Sequence, residues 1–223
     1  MQLLKKILAV LALCSVALGA SASPADPKNG VEYTTLPTPQ NTDTGKKIEV
    51  IEFFAYYCPH CNAFEPSLAE WVRKQGENIV FKRVHVPYDN NTLPQQRLFY
   101  TLEALGLLEQ YHAKVFAAMH KERNRLRSDD AVFEWAAKNG IERNKFADAY
   151  NSFGVAAKVR RSGALMEAYK IDSWPAIVID GRFQTAPHTA HSAAGGAQDE
   201  AAYHQSALTV MDYLVAKAKS EKK

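Results

Sequence analysis

Two cysteines stand three residues apart in the segment Cys58-Pro59-His60-Cys61. At the start of a helix this spacing places both side chains on one face, so the sulfurs can bond or separate with little backbone movement. The unpaired N–H groups and positive dipole end of the first turn stabilise a thiolate on Cys58, and a protonated His60 adds a full charge. Thiols in such settings have pKa values between about 3.5 and 7.5. The segment therefore predicts a redox-active dithiol in which Cys58 attacks and Cys61 resolves the mixed disulfide.

A structural disulfide and a zinc site are the two other uses of such a pair. A disulfide across two residues closes too small a loop to stabilise a fold much. Zinc usually takes four ligands, and the remaining histidines are scattered; His188, His191 and His204 are expected in a solvated loop. We therefore expect no metal and no cofactor other than the redox-active disulfide itself.

The N-terminus has the features of an export signal. Lys5 and Lys6 precede an apolar run over 7–17, and Ala20-Ser21-Ala22 provides a small-x-small cleavage site before Ser23. The apolar run is too short to span a membrane comfortably. These features predict export to an oxidising compartment.

Signal removal changes both the charge and the cysteine count. The mature chain carries 25 basic against 24 acidic residues, and a balance near +1 argues against a nucleic-acid partner. Cys14 is lost with the signal, so Cys58 and Cys61 remain as a lone pair, which is not a disulfide-stapled scaffold. A lipoprotein signal at Cys14 is the alternative, but Leu13 occupies a position where such a site needs a small residue.

Apolar periodicity predicts a strand, a helix and a strand, then a helical block, a hairpin and a last helix. Asp180-Gly181 between two β-rich runs is a hairpin signal, and Ser128 is expected to cap a helix of the block. The predicted ranges are an edge strand at 31–36, strands at 48–55 and 79–86, a helix from 59, helices over 94–169, hairpin strands at 176–179 and 182–185, and a closing helix through 203–214.

A β-α-β unit and a β-β-α unit separated by an insertion form a thioredoxin-like arrangement. The predicted fold class is thus α/β, a thioredoxin-like fold with an inserted all-helical domain. We expect a signal peptide at 1–22, the first part of the thioredoxin-like domain at 23–90, the insertion at 91–168, and the second part at 169–223.

Several segments together resemble the DsbA family of bacterial periplasmic thiol:disulfide oxidoreductases. They are Glu52-Phe53-Phe54 followed by two aromatics and the Cys58–Cys61 segment, together with Arg83-Val84-His85-Val86, Asn151-Ser152-Phe153 and Asp180-Gly181-Arg182-Phe183. The resemblance covers nearly the whole mature chain. A bare C-x-x-C is weak evidence, whereas Pro-His between the cysteines together with a helical insertion is specific.

The resemblance implies roles for residues outside the dithiol. Glu52 would be a buried acid that handles the proton of Cys61, with a pKa raised by desolvation; a solvated edge-strand glutamate is the alternative. Pro175 would be a cis-proline that faces the dithiol and holds substrate as an added strand, although the residues alone also allow a trans turn. Pro66 would be a structural, helix-kinking proline. Trp174 departs from the small or β-branched residue expected before that proline, and we hypothesise that it tunes redox potential and substrate choice.

The resemblance also implies a function: donation of the Cys58–Cys61 disulfide to reduced, newly exported proteins in the periplasm. The implied partners are unfolded secreted proteins and a DsbB-like membrane protein that reoxidises the dithiol, and we expect a monomer. One alternative is a disulfide isomerase or reductant, for which residues 23–45 are too few to form the usual dimerisation domain. The other is a binder of unfolded peptides without chemistry. The basic run Lys121–Arg127 is predicted to be a solvated connection between helices.

Overall fold

The computed structural model describes residues 26–192 and 199–222, so the predicted signal at 1–22 lies outside the described residues. Five strands form one mixed sheet in the order β1-β5-β4-β2-β3. The strands are β1 Thr34–Thr35, β2 Ile48–Phe54, β3 Ile79–His85, β4 Ala176–Ile179 and β5 Phe183–Thr185. The helices are α1 Pro59–Gln75, α2 Leu93–Ala104, α3 Leu108–His120, α4 Asp129–Lys138, α5 Arg143–Tyr150, α6 Phe153–Ala168, α7 Pro187–His191 and α8 Glu200–Glu221.

Strand β2 is the interior strand that leads into the cysteine segment. It pairs in parallel with β3 and antiparallel with β4, and all of its residues are buried. A strand covered on both faces needs apolar side chains on both, which is the pattern seen in β2 apart from its two glutamates. Its parallel register places Glu52 opposite Arg83 of β3.

Helix α1 begins where the sequence predicts. Pro59 occupies the first turn, where its missing N–H costs little. Phe64, Leu68 and Trp71 form the buried face of the helix, and Pro66 lies inside the helix without ending it. The first turn of α1 is thereby fixed against the sheet, with Cys58 as its N-cap.

Helices α2 to α6 occupy the chain between β3 and β4, as the helical pattern predicts. Ser128 caps α4 as expected, because its hydroxyl accepts a hydrogen bond from the Ala131 N–H at 3.2 Å. These helices carry their own apolar core, which is continuous with one face of the sheet. The exact domain boundaries stay a prediction.

The β4–β5 hairpin turns through Asp180 and Gly181, both with positive φ, of 52° and 65°. Two such residues in succession match a type I′ turn, whose twist suits an antiparallel hairpin. The hairpin positions the chain just before β4, which holds the Trp174–Pro175 bond.

Some sequence predictions differ from the structure at the ends of elements. The edge strand predicted at 31–36 covers only Thr34–Thr35, and the second hairpin strand begins at Phe183. Helix α7 was not predicted, since five residues are too few to show a period. A solvated loop is wrong for all three histidines. His188 is exposed but lies on α7, His191 is fully buried and hydrogen-bonded to Ser206, and His204 lies on α8 against the Phe64 ring.

The described elements form a thioredoxin-like α/β fold with helices inserted after β3. Within residues 26–192 and 199–222, no group of three or more histidine, cysteine or acidic side chains is arranged to hold a metal ion. Over the same residues, no helix combines the length and the apolar character that crossing a membrane requires.

Candidate active site

Cys58 is the N-cap of α1 and belongs half to the loop after β2. Its backbone is extended, and its sulfur accepts a hydrogen bond from the Cys61 N–H at 3.3 Å. The Cys58 thiol also lies 3.6 Å from the carbonyl oxygen of Trp174 and donates to it. Cys58 and Cys61 are both free thiols, 5% and 0% exposed. Cys58 is therefore the more accessible sulfur, although its access is narrow.

The surroundings of Cys58 lower its pKa to about 7, from an ordinary value of 9.0. The largest cause is a hydrogen bond from the Cys61 thiol. The backbone N–H groups of Cys61 and His60 and the charge of His60 add to the effect, while burial opposes it. The helix N-terminus thus acts as predicted, but the neighbouring thiol contributes more.

The pKa of Cys61 is shifted in the opposite direction. Burial raises it well above its ordinary value, and the hydrogen bond to Cys58 and the charges of Cys58 and Glu52 raise it further. Only one of the two sulfurs therefore ionises readily near neutral pH, and that sulfur is Cys58.

Glu52 is fully buried on β2, close enough to the dithiol for its charge to act on Cys61. Desolvation raises the pKa of Glu52 to about 8, and the charges of Glu65 and Cys58 add to the rise, while Arg83 opposes it. One carboxylate oxygen accepts from Arg83 Nε at 3.0 Å, and the other, Oε1, has no partner among the described residues. The solvated-glutamate alternative is excluded, and Glu52 can hold a proton at neutral pH.

A buried polar network surrounds Glu52, and the sequence reasoning did not find it. Arg83 donates from Nη2 to both oxygens of Glu65, at 2.8 and 3.1 Å. Burial by itself would raise the pKa of Glu65, but the neighbouring His112 and Arg83 side chains bring it below its ordinary value. Two carboxyl groups thus share one guanidinium, and Glu65 keeps the charge while Glu52 keeps the proton.

The network ends on the inserted helices. His112 of α3 lies with Nε2 3.4 Å from Glu65 Oε2, and its Nδ1 is 2.9 Å from the Tyr56 hydroxyl. Burial lowers the pKa of His112, so its ring is neutral at neutral pH. Glu65 lies one helical turn after Cys61 on α1, so both side chains are on the same face of the helix. This spacing was the sequence signal that could have placed Glu65 near the dithiol.

His60 and Pro59 lie on the exposed rim of the dithiol. His60 Nδ1 pairs with Glu200 Oε1 at 2.8 Å, a contact that ties the start of α1 to the start of α8. This partner lies 140 positions away in the chain, so nothing in the local pattern predicts it.

The peptide bond between Trp174 and Pro175 is cis, as the family resemblance implies. The Trp174 ring packs edge-on against Tyr57 and Tyr88, with centroids 6.2 and 6.1 Å apart. Its backbone carbonyl accepts the hydrogen bond from the Cys58 thiol. Beside it a cavity of about 310 Å³ is lined by residues including His60, Trp174 and Pro175. The structure thus brings all seven predicted site residues to one region around the dithiol.

A dithiol at a helix N-terminus, with one thiol of lowered pKa, beside a cis-proline in a thioredoxin-like fold, defines a thiol:disulfide oxidoreductase. The sequence matches the DSBA-like thioredoxin domain over residues 74–205 and the thioredoxin domain over 40–99. The chain belongs to the DsbA family and is a protein-disulfide oxidoreductase.

Relatives from several bacteria cover almost the full chain. The thiol:disulfide interchange protein DsbA of Burkholderia cepacia is 40% identical, covering 98% of this chain and 100% of its own. The DsbA of Bordetella parapertussis is 38% identical over 96% of both. The crystal structure of Pseudomonas aeruginosa DsbA superposes with a TM-score of 0.79 at 30% identity, covering 89% of this chain and 97% of the other.

Proposed function

We propose that this protein donates the Cys58–Cys61 disulfide to reduced, newly exported proteins through a mixed disulfide at Cys58. The observation that carries the proposal is the opposite shift in the pKa values of the two cysteines. An ionised Cys58 stabilises the reduced form, and a stabilised reduced form makes the disulfide a stronger oxidant, for which DsbA itself is the standard example.

The exchange proceeds in two steps. A substrate thiolate attacks the Cys58 sulfur of the disulfide, a new S–S bond forms, and Cys61 leaves with the electron pair. Because the Cys61 thiolate is strongly disfavoured by burial, it takes up a proton, and Glu52 is the buried group that can supply it. A second substrate thiolate then attacks the substrate sulfur and releases Cys58 as a thiolate. The substrate loses two electrons and the protein dithiol gains them.

Substrate binding is assigned to the surface beside the cis-proline. Extended peptides can add a strand to exposed backbone. Trp174 and Pro175 line the cavity, and the carbonyl oxygen of Trp174 lies 3.6 Å from the Cys58 sulfur. We keep the hypothesis that Trp174 tunes redox potential and substrate choice; a Trp174→Val variant with unchanged potential and oxidation rates contradicts it.

The wider setting of this activity is also proposed. We infer a monomer in the periplasm, with unfolded secreted proteins as substrates, a DsbB-like membrane protein as the oxidant of the reduced dithiol, and no cofactor beyond the disulfide. The relatives named as DsbA support this setting.

The test is the equilibrium of the dithiol with glutathione, together with oxidation of a reduced two-cysteine peptide. We expect an oxidising equilibrium constant, rapid peptide oxidation, and no activity in Cys58→Ser. Cys61→Ser with glutathione disulfide-bonded to Cys58 should instead exchange the glutathione for a single-cysteine peptide, release reduced glutathione, and keep the peptide as a mixed disulfide that is visible by mass. An equilibrium constant typical of a reductant overturns the donor assignment, and peptide binding without thiol dependence favours the binder.

A further inference from the structure

A second cleft, of about 540 Å³, opens beside Pro59, and its lining is basic. Arg123, Arg125 and Arg127 line it from the connection between α3 and α4, and Tyr57 and Gln95 line it from the body of the protein. We call this space the arginine cleft. The connection was predicted to be solvated, and the three arginine side chains are indeed exposed. All three nevertheless line the same cleft as Pro59 of the dithiol segment.

The three arginines are displayed by a fixed segment. Exposed arginines alternate with inward residues, and Leu126 between two of them is only 1% exposed. Gln95 Nε2 donates to the Arg125 carbonyl at 2.9 Å, and the Asn124 N–H donates to Ala118 at the end of α3. The backbone is thus held in place, while the guanidinium groups remain outside.

The arginine cleft carries an excess of positive charge, because three arginines and one carboxylate, Asp89, line it. Across residues 26–192 and 199–222, no carboxylate forms a salt bridge with any of the three arginines, whereas Arg97 pairs with Asp129 and Arg182 with Asp180. The Asp89 carboxylate forms its hydrogen bonds with the Thr92 N–H and the Asn91 side chain rather than with an arginine. His120, another lining residue, is 2.8 Å from the Tyr56 carbonyl through Nε2.

Two buried polar atoms of residues lining this cleft lack partners. The Gln95 Oε1 atom, on a side chain 1% exposed, and the Tyr57 hydroxyl both have no hydrogen-bond partner among the described residues. Buried polar groups in proteins are almost always hydrogen-bonded. One acceptor and one hydroxyl beside three free guanidinium groups suit a polypeptide that offers an N–H group and a carboxylate.

We propose that the arginine cleft binds acidic side chains of the substrate polypeptide near the cysteine that forms the mixed disulfide with Cys58. This inference rests on the proposed function, and it specifies acidic polypeptides as the substrates that the protein favours. Guanidinium groups bind carboxylates through paired, charge-assisted hydrogen bonds. Tyr57 and Tyr88 line the arginine cleft, and both contact Trp174, which lines the cavity beside Pro175. One extended chain passing Cys58 can therefore reach both spaces.

The experiment compares two single-cysteine peptides that differ only in having Glu or Gln on either side of the cysteine. Stopped-flow measurements follow formation of the mixed disulfide with the oxidised mature protein, and the ratio of the two rates is the readout. We compare wild type with the triple variant Arg123→Gln, Arg125→Gln, Arg127→Gln. The matched control is Lys138→Gln, Arg143→Gln, Lys145→Gln, which removes the same charge from exposed positions on α4 and α5.

We expect wild type to favour the acidic peptide by about fivefold, a modest factor because exposed ion pairs are individually weak. The ratio should fall to near one in the arginine variant and in high salt, and should persist in the control. A ratio of one in wild type, or equal loss in both variants, overturns the cleft assignment and leaves the oxidase function standing. Arginine-dependent binding to anionic phosphatidylglycerol vesicles with an unchanged peptide ratio also overturns it, in favour of a membrane contact. If neither peptide reacts, the proposed function itself fails and this inference fails with it.

Discussion

Cys58 and Cys61 lie one helical turn apart, yet the protein gives them opposite proton affinities. Cys58 is stabilised as a thiolate by donors around it, and Cys61 is held as a thiol by burial. The two shifts are linked, because the Cys61 thiol is itself the largest stabilising donor to Cys58. The reactivity of the first cysteine therefore depends on the protonation of the second.

Cys61→Ala should raise the pKa of Cys58 above about 7, since it removes the donor that lowers this pKa most. Cys61→Ser is the matched control, because its hydroxyl can still donate and should preserve more of the lowered value. The measurement is the ultraviolet absorbance of the thiolate as a function of pH. Equal pKa values in the two variants would assign the effect to the helix N-terminus instead.

Glu52→Gln should change how stability depends on pH. The folded pKa of Glu52 is raised from 4.5 to about 8, so its contribution is fully present below pH 4.5 and is lost as pH rises through about 8. The variant cannot ionise there, so its unfolding free energy relative to wild type should rise across this window, by up to about 1.4 kcal/mol per pH unit. The unfolding free energy is measured by urea unfolding of the disulfide form, in which the two cysteines have no thiol that titrates. Exposed Glu134→Gln is the control, and parallel profiles for Glu52→Gln and wild type would contradict the buried proton.

The residues of the site could be predicted from the sequence, but the side chains that they contact could not. Burial of Glu52 followed from its place in an apolar strand, and the dithiol from its spacing. The Arg83 pairing depends on the parallel register of β2 and β3, which places the two residues opposite each other. That register, like the contact between His60 and Glu200, is set by tertiary packing and leaves no local pattern to read.

Among the elements, helix α1 and the β4–β5 hairpin position the site from two sides. Both were predictable, the helix from its apolar face and the hairpin from Asp180-Gly181. Helix α7 was not, because its five residues, Pro187 to His191, are shorter than any detectable period. Local turn and capping chemistry is therefore a better guide here than periodicity over short segments.

The hairpin turn allows a test of whether the cost of replacing a glycine by alanine depends on the backbone conformation and close contacts at that position. A Cβ atom at Gly181 would lie 2.2 Å from the Gln40 carbonyl oxygen, at a φ of +65°. Gly181→Ala should therefore destabilise the protein by about 2 kcal/mol or more. Gly163→Ala, inside α6 with its nearest contact at 3.8 Å, should be neutral or stabilising by up to about 1 kcal/mol. Urea unfolding measures both, and equal effects would exclude the close approach as the cause.

At the scale of the whole molecule, the buried network joins the sheet, α1 and the inserted helices around one site. Glu52 and Arg83 lie on neighbouring strands, Glu65 on α1, and His112 on α3. The insertion therefore contributes to the electrostatics of the dithiol as well as to its surroundings. A change of redox state should therefore change the unfolding free energy of the complete protein.

The reduced form should be more stable than the disulfide form, by a margin that grows with pH between about 7 and 9. The folded pKa of Cys58 is lowered from 9.0 to about 7, so its contribution is fully present above pH 9 and is lost as pH falls through 7. The full change is at most about 3 kcal/mol, from about 1.4 kcal/mol per pH unit. Glu52 titrates in both redox forms, so comparing them removes most of its effect. The measurement is urea unfolding of both forms across this window, with Cys58→Ser, Cys61→Ser as a control lacking the titrating thiol. A constant difference between the forms would mean that the Cys58 thiolate does not make the disulfide oxidising.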